Sequence, residues 1–66
     1  MKNTVHVERA IKRITQADLA QAVGVSRQTI NALEAAKYVP SVALALKIAR
    51  YFDKPVEAIF ALEEDD

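Results

Sequence analysis

The sequence predicts an all-α fold, a compact bundle of five short helices, and three observations carry that expectation. One glycine and two prolines among 66 residues leave too little turn chemistry for a set of hairpins. Ala, Leu, Ile, Lys, Gln and Glu dominate, which is a helical composition. Apolar residues recur at three- and four-residue intervals along most of the chain.

Taken in order, Val7, Ala10, Ile11 and Ile14 form the apolar stripe of a first helix starting near residue 7. Upstream, Thr4 to Val7 alternates and reads as an extended piece. Its natural partner is "IFALEE" near the C-terminus, so a short β-ribbon joining the two chain ends is an added expectation. Thr15 and Asp18 have the spacing of a capping box for a second helix that buries Leu19, Ala20 and Val23. Gly24 closes that helix, because glycine takes the left-handed conformation without a Cβ penalty. Ser26 is an N-cap for a third helix running to about Ala35. Pro40 keeps "KYVPS" a loop, and Ser41 caps the fourth helix. In that helix Val42, Leu44, Ala45, Leu46, Ile48, Ala49 and Phe52 leave only Ala43, Lys47 and Arg50 outside, as expected of a central core helix. Pro55 then starts a short fifth helix carrying Val56, Ile59 and Phe60.

The length sets one domain, residues 1–62, followed by an acidic tail, residues 63–66. A chain this short buries only about 60% of its unfolded surface, and without cysteine it has no disulfide or thiolate metal site. Dense helix packing or self-association must supply the rest. Apolar runs fall far short of the ~20 residues of a membrane span, and the N-terminus lacks the apolar stretch of a signal peptide, so a cytoplasmic protein is expected. Nine basic and nine acidic residues cancel, yet four of the acids are the terminal "EEDD". Residues 1–62 therefore carry nine basic against five acidic residues, a balance of +4, so the body is basic and the tail is a solvated acidic end.

At 100° per residue, Thr29, Ile30 and Leu33 of the third helix share one side, and Arg27, Gln28, Asn31, Ala32 and Ala35 project on the other. Those types suit base edges: an Arg fork matches the acceptors of guanine, a Gln amide matches adenine, and an alanine can lie against a thymine methyl. By itself such a face is a solvated helix surface. Two short helices joined by a Gly-Val-Ser turn, the second with an outward polar face, have the spacing of a helix-turn-helix.

On "ITQADLAQAVGVSRQTINALE", "KYVPS", "LALKIARYF" and "PVEAIF", the chain resembles the helix-turn-helix family of the phage Cro and cI repressors, the Xre family, especially its small single-domain members. The likeness runs from Val5 to Phe60, 56 of 66 residues. It implies a five-helix bundle whose third helix lies in the major groove of double-stranded DNA. Carried over by position, Arg27 and Gln28 are base readers, Ala32 lies one turn further on the same edge, and Asn31 beside them can reach base or phosphate. Gln16, at the start of the second helix, corresponds to a phosphate-binding position. Ser26 caps the third helix and is also placed to touch phosphate, and Lys37 and Tyr38 correspond to phosphate contacts from the following loop. Arg9 and Glu34 match an ion pair between the first and third helices, a structural feature. Three positions depart from the family pattern. Ala36 stands where glycine is frequent and costs ~1 kcal/mol if it keeps the left-handed conformation, Val39 replaces a usual Asn or Asp, and Glu8 replaces a usual apolar residue.

One recognition helix reads only a few base pairs, so a homodimer on a palindromic operator is expected. Val56, Ile59, Phe60 and Leu62 are the candidate dimer surface, because a 66-residue monomer has little other use for that much terminal apolar surface. The alternative is a protein-interaction module, such as an antitoxin or bridging factor, built on the same bundle. An enzyme has no support: there is no nucleophile with a nearby base, no metal constellation and no phosphate-cradling glycine loop. No cofactor or small-molecule ligand is implied, and His6, the only histidine, reads as a surface residue.

Overall fold

Four α-helices, one 3-10 turn and a two-stranded ribbon make up the computed structural model, which describes every residue from Met1 to Asp66. The order is β1 (Lys2–Asn3), α1 (Val5–Lys12), α2 (Gln16–Val23), α3 (Arg27–Glu34), α4 (Val42–Tyr51), the 3-10 turn (Val56–Ala58) and β2 (Phe60–Ala61). The fold is therefore mostly helical, with four α-helices in place of the expected five. The reason lies in the ribbon. β2 pairs antiparallel with β1 in the register Lys2 to Ala61 and Asn3 to Phe60, and the Thr4 amide donates to the Ile59 carbonyl at 2.9 Å. Pro55 is extended at ψ 149°, so only one tight turn fits before the chain must straighten.

The two chain ends do pair, but through Lys2–Asn3 rather than Thr4–Val7, because helical geometry already begins at Val5. Asn3 Oδ1 accepts from the Val5 amide at 3.2 Å and its Nδ2 donates to the Leu33 carbonyl at 2.9 Å. One side chain thus tends the start of α1 and ties the ribbon to α3. The acidic tail is exposed, and the Met1 ammonium contacts Glu63 Oε1 at 3.3 Å and Asp66 Oδ2 at 3.1 Å.

The core comprises Val5, Leu19, Ala20, Val23, Ile30, Leu33, Leu44, Ile48, Ala49, Phe52, Ile59 and Phe60. Two expected stripes are corrected. On α1 the inward residues are Val5 and Glu8, whereas Val7 is exposed and Ile11 is 67% exposed. Glu8, only 7% exposed, is tolerated there because the Lys54 ammonium donates to its Oε2 at 2.7 Å. On α4, Leu44, Ile48, Ala49 and Phe52 face inward, but Val42 and Leu46 are exposed, at 77% and 54%. Ile59 and Phe60, expected at a dimer surface, are buried in the chain's own core, leaving Val56 half-buried and Leu62 78% exposed.

Candidate nucleic-acid interface

Local chemistry defines the α2–turn–α3 unit. Thr15 Oγ1 accepts from the Asp18 amide and Asp18 Oδ2 from the Thr15 amide, both at 3.0 Å, closing a capping box. Those bonds, the backbone one foremost, hold the Asp18 carboxyl below the usual carboxylate range. Leu19, Ala20 and Val23 enter the core, and Gly24 ends the helix at φ 78°. Ser26 Oγ then accepts from the Thr29 amide at 3.1 Å and lies 2.9 Å from Thr29 Oγ1. Its hydroxyl is thus engaged as a cap.

Ile30 and Leu33 are fully buried, which fixes the rotation of α3 about its axis. Arg27, Gln28 and Asn31 are consequently exposed and Ala32 is half-buried beside them. Neither Arg27 nor Gln28 makes a side-chain hydrogen bond or ion pair within the chain. Lys37 and Tyr38 are exposed beyond the other end of α3, which at eight residues is about 12 Å long. Ala36 adopts φ 60°, and the Lys37 amide reaches back to the Ala32 carbonyl at 2.9 Å. The helix therefore closes as it would with glycine, and Lys37 and Tyr38 lie just outside it.

Arg9 and Glu34 form a bidentate pair between α1 and α3. Arg9 Nε donates to Glu34 Oε2 at 2.6 Å and Nη2 to Oε1 at 2.9 Å, while Nη1 donates to the Ile14 carbonyl at 3.1 Å. The Glu34 side chain is 8% exposed. Burial pushes its carboxyl up, but the hydrogen bonds from Arg9 and Gln16 and the Arg9 charge outweigh that and hold it below its ordinary range. Gln16 is half-buried rather than free: its Nε2 donates to Glu34 Oε1 at 3.0 Å and its Oε1 accepts from Asn31 Nδ2 at 3.4 Å.

Sequence reasoning missed two contributors, Asn3 and the Glu8–Lys54 pair. The charge at Glu8 on an inward helical position was the available signal for the second; nothing local marks Asn3 as a tie to α3.

This chain is similar to known proteins over its whole length. The helix-turn-helix family profile matches residues 8–59. An uncharacterised HTH-type transcriptional regulator of Methanocaldococcus jannaschii is 52% identical over 66 residues, covering all of both chains. A second, YgzD of Bacillus subtilis, is 47% identical, again over all of both chains. A third, from Archaeoglobus fulgidus, is 46% identical over 66 residues and 93% of its own length. With its capped helices, its left-handed Gly24 turn and this match across the motif, the chain belongs to the Xre-type helix-turn-helix family of transcriptional regulators.

Proposed function

We propose that this protein is a sequence-specific DNA-binding regulator that reads a palindromic operator as a homodimer, with α3 in the major groove. The observation that carries this reading is the unpartnered pair Arg27 and Gln28 at the N-terminal end of α3, on a helix whose opposite side is locked in the core. Guanidinium and amide forks there meet base edges first. Asn31 and Ala32 follow along the same face, and Gln16, Ser26, Lys37 and Tyr38 supply the flanking phosphate contacts.

Two copies related by a twofold axis would place their recognition helices about 34 Å apart. Leu62 and Val56 are the apolar groups available for that contact, since Ile59 and Phe60 are buried in the chain's own core. A dimer seated across a promoter represses by excluding polymerase, in the cytoplasm where the nucleoid lies. No helix is long and apolar enough to cross a membrane.

The test is selection of bound duplexes from randomised DNA followed by binding of variants. Arg27→Ala and Gln28→Ala each weaken the selected site by ~1–3 kcal/mol and relax its sequence at one or two positions per half-site. Affinity falls steeply with salt. Tight, sequence-selective binding by the double variant refutes the assignment, and a flat salt dependence favours a protein-interaction module.

A further inference from the structure

We infer that Glu34 is a positioning residue for DNA binding, fixing through a hydrogen bond which edge of the Gln16 amide is presented to the nucleic acid. This inference rests on the DNA-binding reading of the Gln16 position.

A glutamine side chain has two N–H donors on one atom and an acceptor on the other, and a half-turn about its last bond exchanges them. A phosphate accepts hydrogen bonds and donates none. Gln16 therefore serves a phosphate only through its Nε2 hydrogens and never through its oxygen. Glu34 decides that polarity. Its Oε1 receives Gln16 Nε2 at 3.0 Å, and an ionised carboxylate can only accept. The flipped amide would set oxygen against oxygen at that distance, so it is excluded. One Nε2 hydrogen is spent on Glu34 and the second remains available.

The constraint passes along a chain of side chains. Arg9 holds the carboxylate through two bonds of its guanidinium and anchors itself on the Ile14 carbonyl. Gln16 Oε1, turned toward α3 by the same lock, accepts from Asn31 Nδ2 at 3.4 Å. Asn31 is thereby oriented with its own oxygen free on the exposed face. A residue with no position on the reading face thus sets the donor pattern of Gln16 and Asn31 in the free protein.

The free protein and its DNA complex test this separately. In the unliganded protein, the Gln16 side-chain amide gives two well-separated proton resonances, one moved downfield by the carboxylate. In Glu34→Gln, whose own amide can face Gln16 with either edge, they converge toward ordinary glutamine positions. Gln16→Met, which leaves the Arg9–Glu34 pair intact, shifts the Asn31 side-chain amide resonances. On the duplex selected from randomised DNA, Glu34→Gln loses about five- to tenfold in affinity in the parent background. In the Gln16→Met background it loses less than about twofold, because the two substitutions remove the same contact. Equal losses in both backgrounds, measured where circular dichroism shows all variants folded, mean that Glu34 acts only through stability and overturn the inference. Unchanged Gln16 resonances in Glu34→Gln overturn it independently of DNA. If the parent protein shows the separated resonances but binds no selected duplex, the DNA-binding reading fails, and the inference with it.

Discussion

Exchanging alanine and glycine between two helix ends measures how much strain this fold carries after its recognition helix. All four α-helices close alike. A residue with positive φ, Arg13 at 57°, Gly24 at 78°, Ala36 at 60° or Asp53 at 56°, is followed by an amide that reaches back to close the last turn. These bonds run from Ile14 to Arg9, Val25 to Ala20, Lys37 to Ala32 and Lys54 to Ala49, at 2.9 to 3.1 Å. Only one of the four is glycine. For a residue with a Cβ the left-handed conformation costs roughly 1–2 kcal/mol, while glycine adds about 0.4–1 kcal/mol of unfolded-state entropy. The Ala36 side chain is exposed, so Ala36→Gly removes no packing and stabilises by about 0.5–1 kcal/mol. A Cβ added at Gly24 meets nothing within 4 Å, so Gly24→Ala costs a similar amount through backbone strain alone. In a domain of this size that is a melting temperature about 3–6 °C higher for the first variant and lower for the second. Thermal unfolding by circular dichroism reads it, at one fixed protein concentration because self-association shifts the midpoint. A midpoint unchanged or lowered by Ala36→Gly, with the expected drop for Gly24→Ala, refutes the claim that position 36 is strained.

Three further outcomes follow from the charged pairs. Arg9→Ala leaves the Glu34 carboxylate, 8% exposed, without its main partner and costs about 3 kcal/mol in denaturant unfolding, the lower end of the range for a broken buried pair because Arg9 retains some solvent. Glu8→Leu changes stability by less than about 1.5 kcal/mol in either direction, since replacing a buried ion with a well-packed apolar group is often neutral or better; a larger loss would show that the Lys54 contact contributes more than burial would. Because the Glu34 carboxyl is held below its ordinary value, its contribution is complete above about pH 5 and is lost as pH falls through the lowered value. Melting temperature in the parent protein therefore declines below about pH 5, and Glu34→Gln shows a shallower decline.

The α2–turn–α3 unit was legible in the sequence because short-range chemistry determines it. Thr15 with Asp18, Gly24, Ser26 and Ser41 each act within four residues of themselves, and all perform the capping roles expected of them. The inward side of α1 was not legible. Periodicity favours Val7, Ala10, Ile11 and Ile14, of which only Ile14 packs against the core; α1 instead buries Val5 and Glu8, because the counter-charge lies 46 residues away on Lys54 and apolar spacing carries no record of it. α4 was misread for another reason. Its sequence is apolar nearly all round, but a chain of 66 residues has too few elements to surround one helix, so Val42 and Leu46 face solvent. The expected fifth helix failed against a competitor: the backbone groups it needed are taken by the ribbon with Lys2–Asn3.

How α3 is held bears on how its binding specificity can change. Ile30 and Leu33 anchor it in the core, the Asn3 amide donates to its Leu33 carbonyl, and Arg9 grips it through Glu34. All of these attachments act on the inward side or the C-terminal end of the helix. Arg27 and Gln28 lie at the opposite end, exposed and outside every one of those contacts. Substitution there removes no packing and leaves no buried group unpaired, so its effect on stability stays within about 0.5 kcal/mol. Asn31 is the exception on the same face, because it is tied to Gln16 and through it to Glu34. The geometry therefore separates two kinds of position on one short helix. Positions 27 and 28 can change sequence preference while the fold stays intact, whereas position 31 is coupled to the frame that positions the helix.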